Sequence, residues 1–253
     1  MKKSFNVFKS NFLTIFILFL MIVLPVYLIQ EFLLTPYAPE IPDNITTENI
    51  ASQSQAYTFD SKTLWYFAGM LIVNLFSMLY KIGVIKLSYS TLESSDLKLN
   101  VNEIMDFSMR LWPKTILTTF VYAIFVAFGF MLFFFPGMMM LALYYFYIQV
   151  VVIYGIWGRP SFAVSTLYAR KMLNKTITIV LINIAFPYCI SFGTILLQRV
   201  IHNEILSHIV AFAVFFFGQL ILTFLDIFAT VCVHDTALGV DINIFKKKKD
   251  QNV

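Results

Sequence analysis

TILTTFVYAIFVAFGFMLFFFPGMMMLALYYFYIQVVVIYGIW, residues 115–157, is an almost unbroken apolar run of 43 residues. The hydrocarbon core of a bilayer, about 30 Å thick, is crossed by roughly 20 helical residues. The run therefore holds two spans. Phe135-Pro136-Gly137 marks the reversal between them, since proline removes a backbone donor and glycine permits a tight turn. The same pattern extends outward in both directions.

Comparable apolar runs lie near 12–30, 64–85, 115–135, 138–157, 176–197 and 207–232. With 59% hydrophobic residues, 28 Phe, 13% charged residues and a mean hydropathy of +0.79, the chain is far more apolar than one soluble core can hide. The runs take up more than half of the 253 residues and leave no length for a separate globular domain. Residues 1–253 thus read as a single all-α, polytopic membrane domain with six transmembrane helices. Met1-Lys2-Lys3 and the apolar stretch Phe12–Gln30 resemble a secretory signal. The stretch is too long for one, and no small-x-small cleavage site follows before Glu31, so it reads as an uncleaved first span. Cys189 and Cys232 sit inside apolar runs and read as small core residues, not as a disulfide.

Lys and Arg in the short loops give the orientation. With the N-terminus inside, Lys2, Lys3, Lys9, Lys81, Lys86, Lys98, Arg110, Lys114, Arg159, Arg170, Lys171, Lys175 and Lys246 to Lys249 are cytoplasmic. Only Lys62 and Arg199 fall outside, whereas the extracytoplasmic loop 31–61 carries Glu31, Glu40, Asp43, Glu48 and Asp60. The predicted localisation is the cell membrane, with both termini cytoplasmic.

A register at a spacing of 61 pairs Phe107 with Tyr168, Arg110 with Lys171, Lys114 with Lys175, Thr115 with Thr176, Ile116 with Ile177 and Phe125 with Phe186. Lys9, Thr14, Ile15 and Pro25 join this register more loosely. The expected architecture is three tandem helical hairpins, each led by a short cytoplasmic amphipathic helix. The lead into span three is the clearest: Leu97, Val101, Ile104, Met105, Leu111 and Trp112 share a face, away from Lys98, Asn102, Glu103, Asp106 and Arg110. Ser161–Leu173 is a poorer version. Such helices suit the anionic inner leaflet or the cytoplasmic ends of the spans. Trp112, Arg110, Lys114, Arg170, Lys171, Lys175 and Lys246, Lys247, Lys248 and Lys249 are therefore the candidate interfacial lipid contacts.

Asp226 is the only acid well inside a span and hence the candidate intramembrane functional acid. It is expected to reach interfacial water or a cytoplasmic lysine. His202, Glu204, His208 and Arg199 share the last outside loop, but two histidines six apart on a helix face about 120° away from each other, so no metal site is expected. His234-Asp235 reads as cytoplasmic surface, and Met138-Met139-Met140 with Tyr144, Tyr145, Phe146 and Tyr147 as helix packing and an aromatic belt. Asn74, Ser77, Asn183 and Gln219 are candidate interhelical hydrogen-bonders. The Asn44-Ile45-Thr46 sequon supports no claim. No Gly-rich phosphate loop, His-Glu-x-x-His or Gly-x-Ser-x-Gly motif occurs, so neither catalytic residues nor a cofactor are expected.

A basic start, Phe8 to Pro25, the amphipathic lead into span three, Phe135-Pro136-Gly137, Gly158-Arg159-Pro160 and Ala163 to Lys171 together resemble a bacterial pattern. It is that of the YciC-like membrane proteins and of the membrane domain attached to some glycerophosphodiester phosphodiesterases. The acidic residue often found before the glycine after the fourth span is missing, since Tyr154, Gly155 and Ile156 stand there. No counterpart of the phosphodiesterase barrel is present, so the resemblance implies no hydrolase activity. The expected function is a non-catalytic scaffold or envelope-maintenance protein that binds lipid or partner membrane proteins, and not nucleic acid. The alternative is a permease subunit, of the ABC-export or bacteriocin-immunity kind, working with a separate cytoplasmic ATPase.

Overall fold

The computed structural model describes residues 1–38, 61–94, 99–200 and 204–237, and among them every regular element is helical. Six helices have the length and apolarity to cross a membrane, as expected. The chain divides into two compact units, Phe16–Tyr80 and the remainder, Met1–Ile15 with Lys81–Val253.

Helix α1 (Lys2–Ser10) buries Ser4 and Val7 on one face and packs on the last helix, with Phe8 edge-on to Phe224 at 6.2 Å between centroids. Asn11 separates it from α2 by donating its side-chain amide to the Val7 carbonyl at 2.9 Å and to Thr91 Oγ1 at 3.0 Å. Helix α2 (Phe12–Tyr37) outruns the apolar stretch that announces it. Two wide π turns interrupt it, Phe19–Val23 and Gln30–Leu34, and each is followed within two residues by a proline, Pro25 and Pro36. A proline ring clashes with the carbonyl four residues back and supplies no donor, and a widened turn makes room for it.

The unit Phe16–Tyr80 holds most of α2 and the first part of α3 (Ser61–Glu93). Within it Leu33, Leu34 and Tyr37 face Trp65, Ala68, Gly69 and Ile72. A side chain at Gly69 would run into Leu34.

In the other unit the end of α3 is buried almost all round: Ile82, Val84, Ile85, Leu87, Ser88 and Ser90 are all below one-tenth exposure. A helix covered on nearly every side lies inside a bundle. Helix α4 (Val101–Leu132) opens with a capping box, in which Asn102 N–H donates to Asn100 Oδ1 and Asn100 N–H to Glu103 Oε2. The amphipathic lead and the third span are one helix of 32 residues, about 48 Å long. Pro113 lies inside it without a break.

The reversal after α4 is a single extended residue, Phe133, two positions before the predicted turn. Pro136 and Gly137 instead lie in the first turn of α5 (Phe134–Leu143). Proline is tolerated there because the first-turn donors are unpaired in any case. A Cβ on Gly129 would stand 3.0 Å from the Gly137 Cα, so the two glycines let α4 and α5 meet backbone to backbone. The descending arm breaks at Tyr144–Phe146 and resumes as α6 (Tyr147–Tyr154). The Tyr147 hydroxyl meets Thr119 at 2.8 Å and Gly158 N–H donates to Thr118 at 3.1 Å. The start of α6 and the cap of the next helix thus bond to neighbouring residues of α4.

Helix α7 (Arg159–Lys171) follows, then α8 (Leu173–Val200) and α9 (Glu204–Ala237), which pack on each other as the third hairpin. Phe146, Val150, Val164, Tyr168, Ala169, Ile179, Ala229 and Val233 form a buried core joining α6, α7, α8 and α9. Outside it, Leu117, Phe120, Ile124, Phe128 and Met131 make an exposed apolar stripe along α4, and Ile177, Leu181, Ile184, Tyr188 and Phe192 one along α8. Surfaces of that kind are met by lipid. Cys189 is exposed and Cys232 buried, both as free thiols, so only Cys232 is the core residue expected of the pair.

Candidate functional site

The repeat spacing of 61 carries a burial pattern as well as a residue pattern. Ile104, Ser108, Thr115 and Thr118 are buried, and so are their equivalents Ser165, Ala169, Thr176 and Ile179. Thr115 and Thr176 each donate a hydroxyl to the carbonyl four residues back at 3.1 Å. Arg110, Lys114, Lys171 and Lys175, again equivalent in pairs, are exposed, as is Arg170. These cations lie just before the exposed apolar stripes of α4 and α8, the order in which a helix passes from headgroups into hydrocarbon. Arg110 Nε turns back to the Asp106 carbonyl at 3.2 Å, and Trp112 is half-buried. Lys86 lies 4.9 Å above the ring of Phe107, a contact that holds α3 to α4. Lys246, Lys247, Lys248 and Lys249, with Leu97, Lys98, His202 and the side chains of Arg199 and Glu204, lie outside the described residues.

Inside the bundle Asp226 reaches one of the lysines counted as cytoplasmic. Its Oδ1 lies 3.0 Å from Nζ of Lys81, a residue of α3 that charge counting groups with the loops. The side chains keep 14% and 30% of their exposure, so the pair is screened from bulk water only in part. The contact is charge against charge, without the alignment of a hydrogen bond. Of the other intramembrane polar groups, Asn183 bridges helices by donating to the Tyr145 hydroxyl at 2.7 Å. Asn74 and Ser77 bond carbonyls of their own helix.

At the end of the bundle where α1, α3 and α9 meet, Lys3 pairs with Asp235 at 2.6 Å. His234 stands 3.4 Å from the same oxygen and edge-on to Tyr89. Tyr154 and Tyr168 stack nearly parallel and share a hydrogen bond of 2.8 Å. Burial, helped by that bond, pushes the Tyr168 phenol well above its ordinary range, so it stays neutral.

Helix α7 is pinned to this end by groups that sequence reading passed over. Ser165 Oγ accepts from Phe146 N–H at 3.1 Å and donates to the Leu143 carbonyl at 3.0 Å, so it satisfies the backbone where α5 breaks into α6. Ser161 donates to the Gly158 carbonyl at 2.6 Å. Gly155 and Gly158 have φ of 67° and 72°, the left-handed region that glycine adopts without strain, and they turn the chain from α6 into α7. With one face of α7 held this way, Arg159, Ala163, Thr166 and Arg170 border an open groove of about 510 Å³ with Phe125, Tyr144 and Phe162. Met138 and Met139, with Phe135, Leu143, Leu173 and Ile177, line a separate apolar groove of about 250 Å³ between α5 and α8. Among the described residues no group of His, Cys, Asp and Glu has the arrangement of a metal site. No family model matches this chain, and no curated protein or solved structure matches it.

Proposed function

We propose that the chain is a non-catalytic protein of the bacterial cell membrane, with both termini in the cytoplasm, that binds anionic lipid and holds partner membrane proteins in place. One observation carries this reading. The exposed cations Arg110 and Lys114 of one repeat and Lys171 and Lys175 of the next occupy equivalent positions at the start of two exposed apolar stripes. A belt of that kind attracts an anionic leaflet by about 1 kcal/mol per basic residue. Affinity purification from the native membrane, with mass spectrometry of co-purifying lipids and proteins, tests the proposal. Recovery of anionic lipid or an envelope protein supports the reading, and stoichiometric recovery of a nucleotide-binding subunit overturns it.

The second reading, a permease subunit working with a separate ATPase, is favoured by the ion pair of Lys81 and Asp226, because ionisable groups held within spans mark transport pathways in many membrane proteins. Loss of transport on Asp226→Asn, in a complex that still assembles, would establish that reading.

A further inference from the structure

We infer that the groove between α4 and α7 is a binding site for an anionic phospholipid headgroup, one carrying two phosphates in preference to one. The inference rests on the lipid-binding reading and deepens it to a particular site. Arg159 and Arg170 are eleven residues apart on α7, which places them about 20° apart around the helix and about 16 Å apart along it. Thr166 lies between them on the same edge, and all three line the groove. Neither guanidinium has an acidic partner among the described residues, and no acid lines the groove.

Arg159 is the first residue of α7, and the first turn of that helix holds no acid. The positive pole of a helix disfavours a cation in this position. A bound phosphate would be attracted by the pole and by the guanidinium together, and Arg170 in the last turn offers a second charge. The wall facing the arginines is apolar: Phe125 and Tyr144 pack on Phe162 at 6.0 and 5.2 Å between centroids. Beyond Phe125 the exposed Phe128 and Met131 continue along α4 as a track for acyl chains. The opposite face of α7 is fixed by Ser161, Ser165 and Tyr168, so the two charges are presented on a firm support.

The test uses the full chain, delipidated in detergent, with bound lipid counted by native mass spectrometry against cardiolipin, phosphatidylglycerol and phosphatidylcholine. Cardiolipin is expected to bind best, and Arg159→Gln with Arg170→Gln to weaken it by about tenfold or more. Lys2→Gln with Lys62→Gln, which removes the same charge at exposed positions outside both the groove and the cationic belt, should weaken it by less than about threefold. Arg159→Lys with Arg170→Lys should restore part of the binding, because the charge returns without the bidentate fork. Equal loss in the arginine and lysine pairs, or no loss in either, overturns the site while leaving a lipid-binding protein. A wild-type chain that does not distinguish cardiolipin from phosphatidylcholine overturns the broader reading as well.

Discussion

Lys81 on α3 and Asp226 on α9 are 145 positions apart in the chain, and their charged atoms meet at 3.0 Å within the helical bundle. Removing one partner strands the other in a poorly hydrated place, a larger penalty than the pair's own net contribution. Asp226→Leu and Lys81→Met alone should each destabilise by about 1–3 kcal/mol, less than a fully buried pair because both groups keep some exposure. The double replacement should recover most of that. Thermal unfolding of the four variants in one detergent measures the coupling, and additive losses would show that the pair contributes nothing.

The hydroxyl of Ser165 serves two backbone groups at the break between α5 and α6. Ser165→Ala leaves the Phe146 N–H buried without its acceptor, at a cost of about 1–3 kcal/mol. Ser161→Ala, at an equally buried position, should cost less, about 0.5–1.5 kcal/mol, because the Gly158 carbonyl keeps the Ser161 N–H as donor. Thermal unfolding of the two variants side by side checks the order, and a larger loss at Ser161 would contradict it.

The hairpin of α4 and α5 gives a comparison between two glycines. At Gly137 an added methyl would meet the root of the Phe130 ring, Cγ and Cδ1 at 2.5 Å, so the whole side chain must rotate, which its exposed position allows. At Gly129 it would meet the Gly137 Cα, which cannot move without parting the helices. Gly129→Ala is therefore expected to cost about 1–3 kcal/mol, near the range for overpacking, and Gly137→Ala distinctly less. Denaturation of both variants, with a disulfide trap across the turn to report helix separation, decides the matter.

Apolar runs of about 20 residues located all six membrane-length helices, because hydrocarbon demands a continuous apolar stretch whatever the tertiary packing. The same demand says little about where a helix stops. Asn100 and Glu103 cap α4 well before its apolar part, and no break separates the two at Pro113. Ser165 and Thr118 gave no signal, since a hydrogen bond to a residue 19 or 40 positions away leaves no periodicity behind. A cytoplasmic lysine is among the partners expected for Asp226, but counting charges by position cannot say that it is Lys81 on another helix. The edge of Arg159, Thr166 and Arg170 is visible in the spacing, but the serines and tyrosine on the buried side of α7 lower its apolar contrast and conceal which face is covered.

The orientation has its own test. Lys and Arg near the ends of spans resist crossing the membrane, and the proposed arrangement leaves only Lys62 and Arg199 outside. In a Cys189→Ser, Cys232→Ser background, Lys62→Cys should react with a membrane-impermeant maleimide on intact cells. Lys171→Cys, exposed on the opposite side of the proposed arrangement, should react only after lysis. Labelling of both positions in intact cells would show a mixed topology, and the reverse pattern an inverted one. Inversion would also carry the cationic belt and the groove of α7 to the outer leaflet. An anionic inner-leaflet lipid could then not be the occupant, whereas the Lys81–Asp226 ion pair would keep its partners, so the two features respond differently to the same result.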